Sequence, residues 1–165
     1  MPELQRLRSD HAEALLEFEL TNRAYFAATV PDRGDDFYQR FAERYNALLA
    51  DQDAGIGAFH VLVAEDGAVL SRFNLEFVGD GTAQLGYRVA QGVAGRGVAT
   101  ASIQELCRLA AVTYTLRTLR AATARDTVAS QTVLAKTWFV PQGPADAAEL
   151  GGKPGLWYER ELTAD

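Results

Sequence analysis

The clearest chemical signal in this chain is a glycine-rich stretch in which Gly92, Gly95 and Gly97 precede a helix-forming sequence. Glycine adopts positive φ without a steric penalty and lets the backbone approach a bulky anion. The first amides of a helix have no partner within it, and the helix dipole favours negative charge beside them. Arg96 adds a positive charge at the same place. The stretch therefore predicts a phosphate or pyrophosphate site, although a tight turn without a ligand would use the same residues.

The segments around this turn indicate the elements that position it. Three alternating segments precede it, at Phe59–Val63, Val69–Val78 and Ala83–Val89, and turn sequences separate them, so they predict an antiparallel meander. A helix from about Ala99 to Ala110 follows, and then a strand from Leu116 to Thr123. The turn is thus predicted to join the last strand of the meander to a βαβ unit.

The two ends of the chain are predicted to complete a mixed α/β sheet. The expected N-terminal elements are a strand at Leu4–Arg8, a helix capped by Asp10, an irregular segment at Thr21–Gly34 and a helix at Asp36–Ala50. The expected C-terminal elements are a short helix at Ser130–Thr137 and one or two final strands within Phe139–Val140 and Leu156–Leu162. Because no linker divides the sequence, we expect a single domain over residues 1–165.

Charge and composition narrow the class of partner. The chain of 165 residues has a formal net charge of −6 at pH 7, whereas sequence-independent binding of nucleic acid needs a basic surface. No segment approaches the roughly 20 apolar residues of a membrane span. Cys107 is the only cysteine, so no intrachain disulfide can form and a reducing cytoplasm is the expected setting. We expect no metal site, because histidine and cysteine are few and scattered. The expected oligomeric state is a monomer or a homodimer.

The stretch Ala94–Ala99 resembles the acetyl-CoA motif of the GNAT superfamily of acyl-CoA N-acyltransferases, which is written Q/R-x-x-G-x-G/A. Gly97 and Ala99 occupy its last two fixed positions. Ala94 stands where the family usually has glutamine or arginine, so one anchor of the motif is replaced.

A second stretch, Asp126–Phe139, resembles the family's N-x-x-S-x-x-V-L-x-K-x-G-F helix. The matching residues are Ser130, Val133, Leu134, Lys136 and Phe139. Thr127 replaces the usual asparagine, and Trp138 replaces the usual glycine. Together with the strand Leu85–Val89, the two stretches resemble the branch that includes the RimJ/RimL-type ribosomal-protein-alanine N-acetyltransferases.

This resemblance implies the GNAT fold and acetyl-CoA as the co-substrate, with no metal. Two parallel strands would splay apart after Val89, and the pantetheine arm would lie in the cleft and pair with backbone amides. A backbone N–H near Val89 would polarise the thioester carbonyl. The residues implied in acetyl-CoA binding are Tyr87, Arg88, Val89, Gly95, Arg96, Gly97, Val98, Ala99, Thr100, Thr127 and Ser130.

Three side chains are candidates for catalysis, and each also has a purely structural interpretation. The resemblance implies Ser130 as the proton donor to the departing thiolate, since the acceptor amine attacks the thioester directly. Tyr87 is a candidate acid, and Glu76 is a candidate base. Many family members carry a glutamate on the strand before the loop, but this chain has Gln84 there. The identity of the base therefore stays open between Glu76, His60 and water.

The acceptor is predicted to be a primary amine. The α-amine of a peptide or protein N-terminus is favoured, because the strand lacks a carboxylate and an α-amine has a pKa of about 7.7–8.0, against about 10.4 for lysine. The alternatives are a small molecule, such as an amino sugar, amino acid or antibiotic, and a module that binds acyl-CoA without catalysis. The segments Thr21–Gly34 and Gly143–Gly155 are expected to shape the acceptor site.

The remaining residues that the sequence singles out have structural interpretations. Arg72 and Arg88 are expected on the surface or on a sheet face, and Cys107 is expected to be a small buried hydrophobe. Trp138 stands where the family places a glycine at a helix end, and a bulky residue with positive φ there costs roughly 1–2 kcal/mol. We therefore predict that this helix ends differently and that Trp138 contributes to the core or to the cleft wall.

Overall fold

The computed structural model describes residues 1–146, 150 and 152–163. Over these residues the chain forms six helices and seven strands. The helices are α1 Ala12–Thr21, α2 Arg23–Ala27, α3 Asp35–Gln39, α4 Phe41–Asp53, α5 Val98–Val112 and α6 Val128–Lys136. The strands are β1 Glu3–Arg6, β2 Gly57–Val63, β3 Val69–Gly79, β4 Thr82–Val89, β5 Thr118–Ala124, β6 Val140–Ala145 and β7 Gly155–Glu161.

The strands form one mixed sheet in the order β1-β2-β3-β4-β5-β7-β6. β2 pairs antiparallel with β1 and β3, and β4 pairs parallel with β5, the strand that follows α5. β7 pairs antiparallel with both β5 and β6. The predicted α/β class, meander, βαβ unit and final strands are therefore confirmed. The sequence pattern did not indicate that the last strand of the chain, β7, lies between β5 and β6.

Two compact units can be distinguished in the chain, and the first consists of residues 1–76 and 87–93. Its core is a cluster of buried apolar side chains: Leu7, Leu15, Phe18, Phe26, Phe41, Tyr45, Phe59, Val61 and Val69. Gln52 of α4 joins this core to the strands, because its Nε2 donates to the Leu7 carbonyl and its Oε1 accepts the Phe59 N–H, each at 2.9 Å. These two bonds fix α4 against β2 and against the residue that follows β1.

The N-terminal helices differ from the sequence prediction in three respects. α1 begins after a 3-10 turn rather than at an Asp10 cap, and Nδ1 of His11 accepts a backbone N–H 3.0 Å away at the start of that turn. Residues 21–34, predicted to be irregular, contain α2. The single helix predicted over residues 36–50 is broken at Arg40, where φ is −107° and ψ is 25°, into α3 and α4.

The second unit consists of residues 77–86 and the chain from residue 94 onward. α5 buries Ile103, Leu106 and Ala110 completely, as their helical spacing predicts. Cys107 on the same helix is also buried, which agrees with its structural interpretation. Leu119 of β5 is fully buried as well. No helix in the described part of the chain is long and apolar enough to cross a membrane.

Candidate active site

The predicted anion-binding turn lies between β4 and α5. Gly97 is the N-cap residue of α5 and adopts a left-handed conformation, with φ 76° and ψ 5°, and Gly95 has a φ of 77°. The Ala101 N–H donates to the Gly97 carbonyl at 3.0 Å and begins the bonding pattern of the helix. The amides of Val98–Thr100 therefore precede that pattern. Within the described chain no side chain caps them.

The turn has open space around its glycines. A β-carbon added to Gly95 or Gly97 would have no heavy atom within 4 Å. Positive φ, rather than steric exclusion by neighbours, is what favours glycine at both positions. Arg96 between them is exposed. The first amides of α5, the positive end of its helix dipole and the exposed Arg96 side chain are suited to a pyrophosphate.

β4 carries the residues implied in thioester binding. Its parallel register with β5 covers Thr82–Gln84 opposite Thr118–Arg120, although β4 itself continues to Val89. The expectation that the two strands part only after Val89 is therefore wrong, because the described register already ends at Gln84. Among the described residues, the pairing of β4 with β5 thus covers only the first three residues of β4.

Tyr87 and Arg88 point to opposite faces of β4, as consecutive strand residues do. The Tyr87 ring stacks on Phe73 with ring centroids 6.0 Å apart. The Arg88 guanidinium lies 4.9 Å from the centre of the Phe26 ring, and its Nη1 is 3.4 Å from Oε2 of Glu19. A contact between Arg88 and acetyl-CoA would therefore come from its backbone. The roles of both residues in binding and catalysis stay predictions.

Glu19 is a charged residue that sequence analysis missed. Its carboxylate is fully buried and pairs with Arg72 at 3.0 Å, Arg33 at 3.3 Å and Arg88 at 3.4 Å. Arg72 lies in β3 and is itself buried, so of its two expected positions, the surface and a sheet face, it occupies the second, and the Glu19 carboxylate offsets part of its desolvation cost. Glu19 follows Leu15 by four residues on the buried stripe of α1. A carboxylate on the buried stripe of a helix is unusual, and this spacing could have identified Glu19 from the sequence.

The second motif stretch begins α6. Thr127 occupies the N-cap position without a capping side-chain bond, and Ser130 lies in the first turn; both are half-buried. Gln131 holds the turn between β5 and α6, since its Nε2 donates to the carbonyls of Ala124 at 3.0 Å and Arg125 at 2.7 Å. α5 and α6 contact each other, so the second unit brings both motif helices together. The assignments of Thr127 and Ser130 stay predictions.

The side chains considered as general bases lie in different settings. His60 is buried in β2, and burial, with a smaller contribution from Arg6, lowers its pKa to about 4. It is therefore neutral at pH 7 but too weak a base to match that pH. Gln84 is half-buried and has no titratable group. Glu76 is exposed on β3 opposite Gly57 and remains a candidate.

Trp138 contradicts the prediction made for the end of α6. The helix ends in a Schellman motif, in which the Trp138 N–H donates to the Ala135 carbonyl at 3.1 Å and the Phe139 N–H donates to the Leu134 carbonyl at 2.9 Å. Trp138 has a φ of 65° and is 70% exposed, so a different helix end and a core position are both wrong. Its ring lies 5.4 Å from the Arg160 guanidinium, and this cation–π contact offsets part of the strain.

The segment expected to shape the acceptor site near the C-terminus is described in part. Residues 147–149 and 151 of the predicted Gly143–Gly155 loop lie outside the described residues. Gly143 itself belongs to β6 and helps to line a cavity of about 300 Å³. The other lining residues are Arg120, Gln142, Pro144, Trp157 and Glu159. Among the described residues, no group of three or more His, Cys, Asp or Glu side chains could hold a metal ion.

Solved structures of other proteins share this fold. Ribosomal-protein-S5-alanine acetyltransferase from Vibrio fischeri has a TM-score of 0.88 at 16% sequence identity, and the match covers 98% of this chain and 93% of that protein's chain. The RimL ribosomal L7/L12 α-N-protein acetyltransferase in complex with CoA has a TM-score of 0.86 at 19% identity, and the match covers 99% of this chain and 96% of the RimL chain. Spermidine N-acetyltransferase from Vibrio cholerae, in complex with CoA and spermine, has a TM-score of 0.79 at 12% identity. That match covers 98% of this chain and 95% of the spermidine N-acetyltransferase chain.

The family is shown by the sequence. No curated protein matches the chain. A family model described as the acetyltransferase (GNAT) domain matches residues 3–140, which include β1 to β5, the glycine-rich turn and α6. The chain therefore belongs to the GNAT acetyltransferase family, and it is an acetyl-CoA-dependent N-acetyltransferase.

Proposed function

We propose that this enzyme transfers the acetyl group of acetyl-CoA to the α-amine of a peptide or protein N-terminus, by direct attack of the amine on the thioester. The observation that carries the proposal is the absence of a matched base at His60 and Gln84. A buried imidazole with a pKa of about 4 cannot deprotonate an ammonium group at neutral pH. At pH 7 a useful fraction of an α-amine is already neutral, but less than about a thousandth of lysine is.

The glycine-rich turn is the proposed site for the pyrophosphate of acetyl-CoA. The Val98, Ala99 and Thr100 amides would donate to it, and Arg96 would add its charge. The backbone of β4 from Tyr87 to Val89 is proposed to hold the pantetheine arm and the acyl group. A thioester is already activated towards amines, so the reaction needs no Lewis acid.

Two side chains of α6 are proposed to complete the site. Ser130 would donate a proton to the departing CoA thiolate, and Thr127 would contact the pantetheine arm in place of the family's asparagine. What supports this is their position in the motif stretch and the half-buried setting of both residues at the start of α6.

The names of proteins with the same fold support an N-terminal acceptor. The Vibrio fischeri and RimL proteins are named for acetylation of ribosomal proteins, one at alanine and one at an α-amine. The Vibrio cholerae protein is named for spermidine, which makes a small amine the outcome that a test has to separate. We further propose a monomer or homodimer that works in the cytoplasm without nucleic acid, on the basis of the single Cys107 and the net charge of −6.

The test is a competition at pH 7 between two peptides of the same sequence. One has a free N-terminus and blocked lysine, and the other has an acetylated N-terminus and free lysine. We expect acetylation of the first peptide, because only its amine is substantially neutral at this pH. Preferential acetylation of the second peptide would overturn the proposal. Reaction with spermidine and with neither peptide would instead assign a small-molecule acceptor.

A further inference from the structure

A group of charged side chains in the first unit has no assigned role in the proposed acetyl-CoA site, which uses only the backbone of one member, Arg88. This arginine cluster consists of Arg33, Arg72 and Arg88 around the carboxylate of Glu19. Arg72 Nη1 lies 3.0 Å from Glu19 Oε1, while Arg33 Nε and Arg88 Nη1 lie 3.3 Å and 3.4 Å from Oε2. Among the described residues, three guanidinium groups thus share one carboxylate. The cluster carries surplus positive charge in a chain whose net charge is −6.

The surplus charge is partly buried and therefore costly. Burial lowers the pKa of Arg72 and of Arg88, and the charge of Arg33 lowers the pKa of Arg88 further. Because a guanidinium stays protonated in proteins, the cost persists as repulsion between like charges. Nε of Arg72 is buried and has no hydrogen-bond partner within the described residues. Asp32, which lies between α2 and α3, and Asp35, the first residue of α3, both pair with Arg23 rather than with the cluster.

Part of the cluster is reachable from solvent, and it adjoins the reacting end of β4. The side chains of Arg33 and Arg88 are 28% and 20% exposed. Arg88 immediately precedes Val89, and a backbone N–H near Val89 is proposed to polarise the thioester carbonyl. Adjacent Cα atoms are about 3.8 Å apart. An anionic group within the first few residues of an acceptor peptide can therefore reach these guanidinium groups while its N-terminal amine reacts near Val89.

We infer that the arginine cluster recognises a carboxylate of the acceptor, so that the preferred acceptor is a peptide or protein whose N-terminal residue is followed closely by Asp or Glu. The inference rests on the proposed function. A carboxylate matches the planar fork of a guanidinium and would balance the charge that Glu19 leaves uncompensated. Arg33 is the most exposed member and is the residue that an incoming carboxylate meets first. The cluster determines specificity; no bond forms or breaks there.

The experiment combines two lysine-free peptides with three proteins. The peptides differ only in Asp or Asn at their second and third residues, which changes charge and keeps shape. The proteins are wild type, Arg33→Gln and the control Arg40→Gln, which removes the same charge from an exposed side chain paired with Asp36. The quantity compared is the ratio of kcat/KM for the Asp peptide to kcat/KM for the Asn peptide.

We expect wild type and Arg40→Gln to prefer the Asp peptide by about tenfold, which is about 1.4 kcal/mol, and Arg33→Gln to lose most of that preference. Equal rates for the two peptides with wild type, or a full preference in Arg33→Gln, would overturn the inference while leaving the proposed function intact. Acetylation of neither peptide would instead overturn the proposed function. Free glutamate serves as a third acceptor, and its acetylation in place of both peptides would assign the carboxylate to a small amino acid.

If Arg33→Gln does not fold, a measurement on the wild-type protein alone still tests recognition by the arginine cluster. The preference for the Asp peptide should shrink as salt rises from low to molar concentration, because partly exposed charges are screened. A preference that is independent of salt would contradict recognition by the arginine cluster.

Discussion

Gly97 and Trp138 share a left-handed backbone, with φ of 76° and 65°, yet one has no side chain and the other has the largest. Both lie at helix ends in the second unit, Gly97 before α5 and Trp138 after α6. Both also have space around them, since a β-carbon at Gly97 would have no heavy atom within 4 Å and Trp138 is 70% exposed. Steric exclusion by neighbours therefore does not explain the difference.

The difference is explained by what each backbone has to do. At Trp138 the Schellman motif requires only the dihedral angles, and the contact with Arg160 offsets part of their cost. At Gly97 the same angles are combined with a proposed second demand, which is that a bulky anion approach the amides of the next turn. Strain alone can be tolerated in a bulky residue, whereas a ligand approaching the backbone excludes one.

The largest effect is expected from placing a negative charge at Gly97. Gly97→Asp should weaken acetyl-CoA binding by at least about tenfold, or about 1.4 kcal/mol, because a carboxylate would repel the pyrophosphate. Gly97→Asn is the matched control, since Asn and Asp have nearly the same shape, both can adopt a left-handed backbone, and they differ in charge. Isothermal titration with acetyl-CoA measures both variants. A folded Gly97→Asp protein that binds as tightly as wild type would show that the turn does not hold the pyrophosphate.

A smaller effect is expected on stability at Trp138. Trp138→Ala keeps the strain and loses the Arg160 contact, which should cost about 0.5–1 kcal/mol. Trp138→Gly loses the same contact but releases the strain, so it should be more stable than Trp138→Ala by about 0.5–1 kcal/mol after the extra chain entropy of glycine is subtracted. Urea unfolding gives both values.

The control for this comparison is Ala135→Gly in the same helix, an exposed position with ordinary helical dihedrals. There the order should reverse, with glycine less stable than alanine by about 0.5–1 kcal/mol. If Trp138→Ala proved as stable as Trp138→Gly, the left-handed conformation at this position would not be a source of strain.

Local patterns predicted the elements that surround the turn. The spacing of Ile103, Leu106 and Ala110 predicted α5, and all three are fully buried. The glycines of the turn indicated positive φ, which Gly95 and Gly97 adopt. These features depend on residues close together in sequence, so periodicity and residue type are sufficient to find them.

Long-range pairing is what the sequence could not provide. Glu19 bonds to Arg72 and Arg88 across sequence separations of 53 and 69 residues, and nothing in the local sequence of either arginine indicates a buried partner. The prediction for Trp138 was wrong for a different reason. The motif indicated a glycine-like conformation at this position, whereas the hydrophobicity of the indole favoured a buried one. The hydrogen bonds of the helix end determined the backbone conformation.

Removal of metal is expected to have the smallest effect of all, which is none. In the proposed site the amides after Gly97 and the Arg96 side chain would neutralise the pyrophosphate, and a thioester carbonyl polarised by a backbone N–H would need no Lewis acid. Dialysis against EDTA should therefore leave kcat/KM for acetyl-CoA and the acceptor peptide unchanged, as measured by the release of free CoA. A parallel sample to which magnesium or zinc is returned should behave identically. Loss of activity in EDTA with recovery on adding either ion would show that a cation takes part in binding the pyrophosphate at the turn. The open space around Gly97 would then accommodate a metal-bridged phosphate rather than direct contact between the phosphate and the amides.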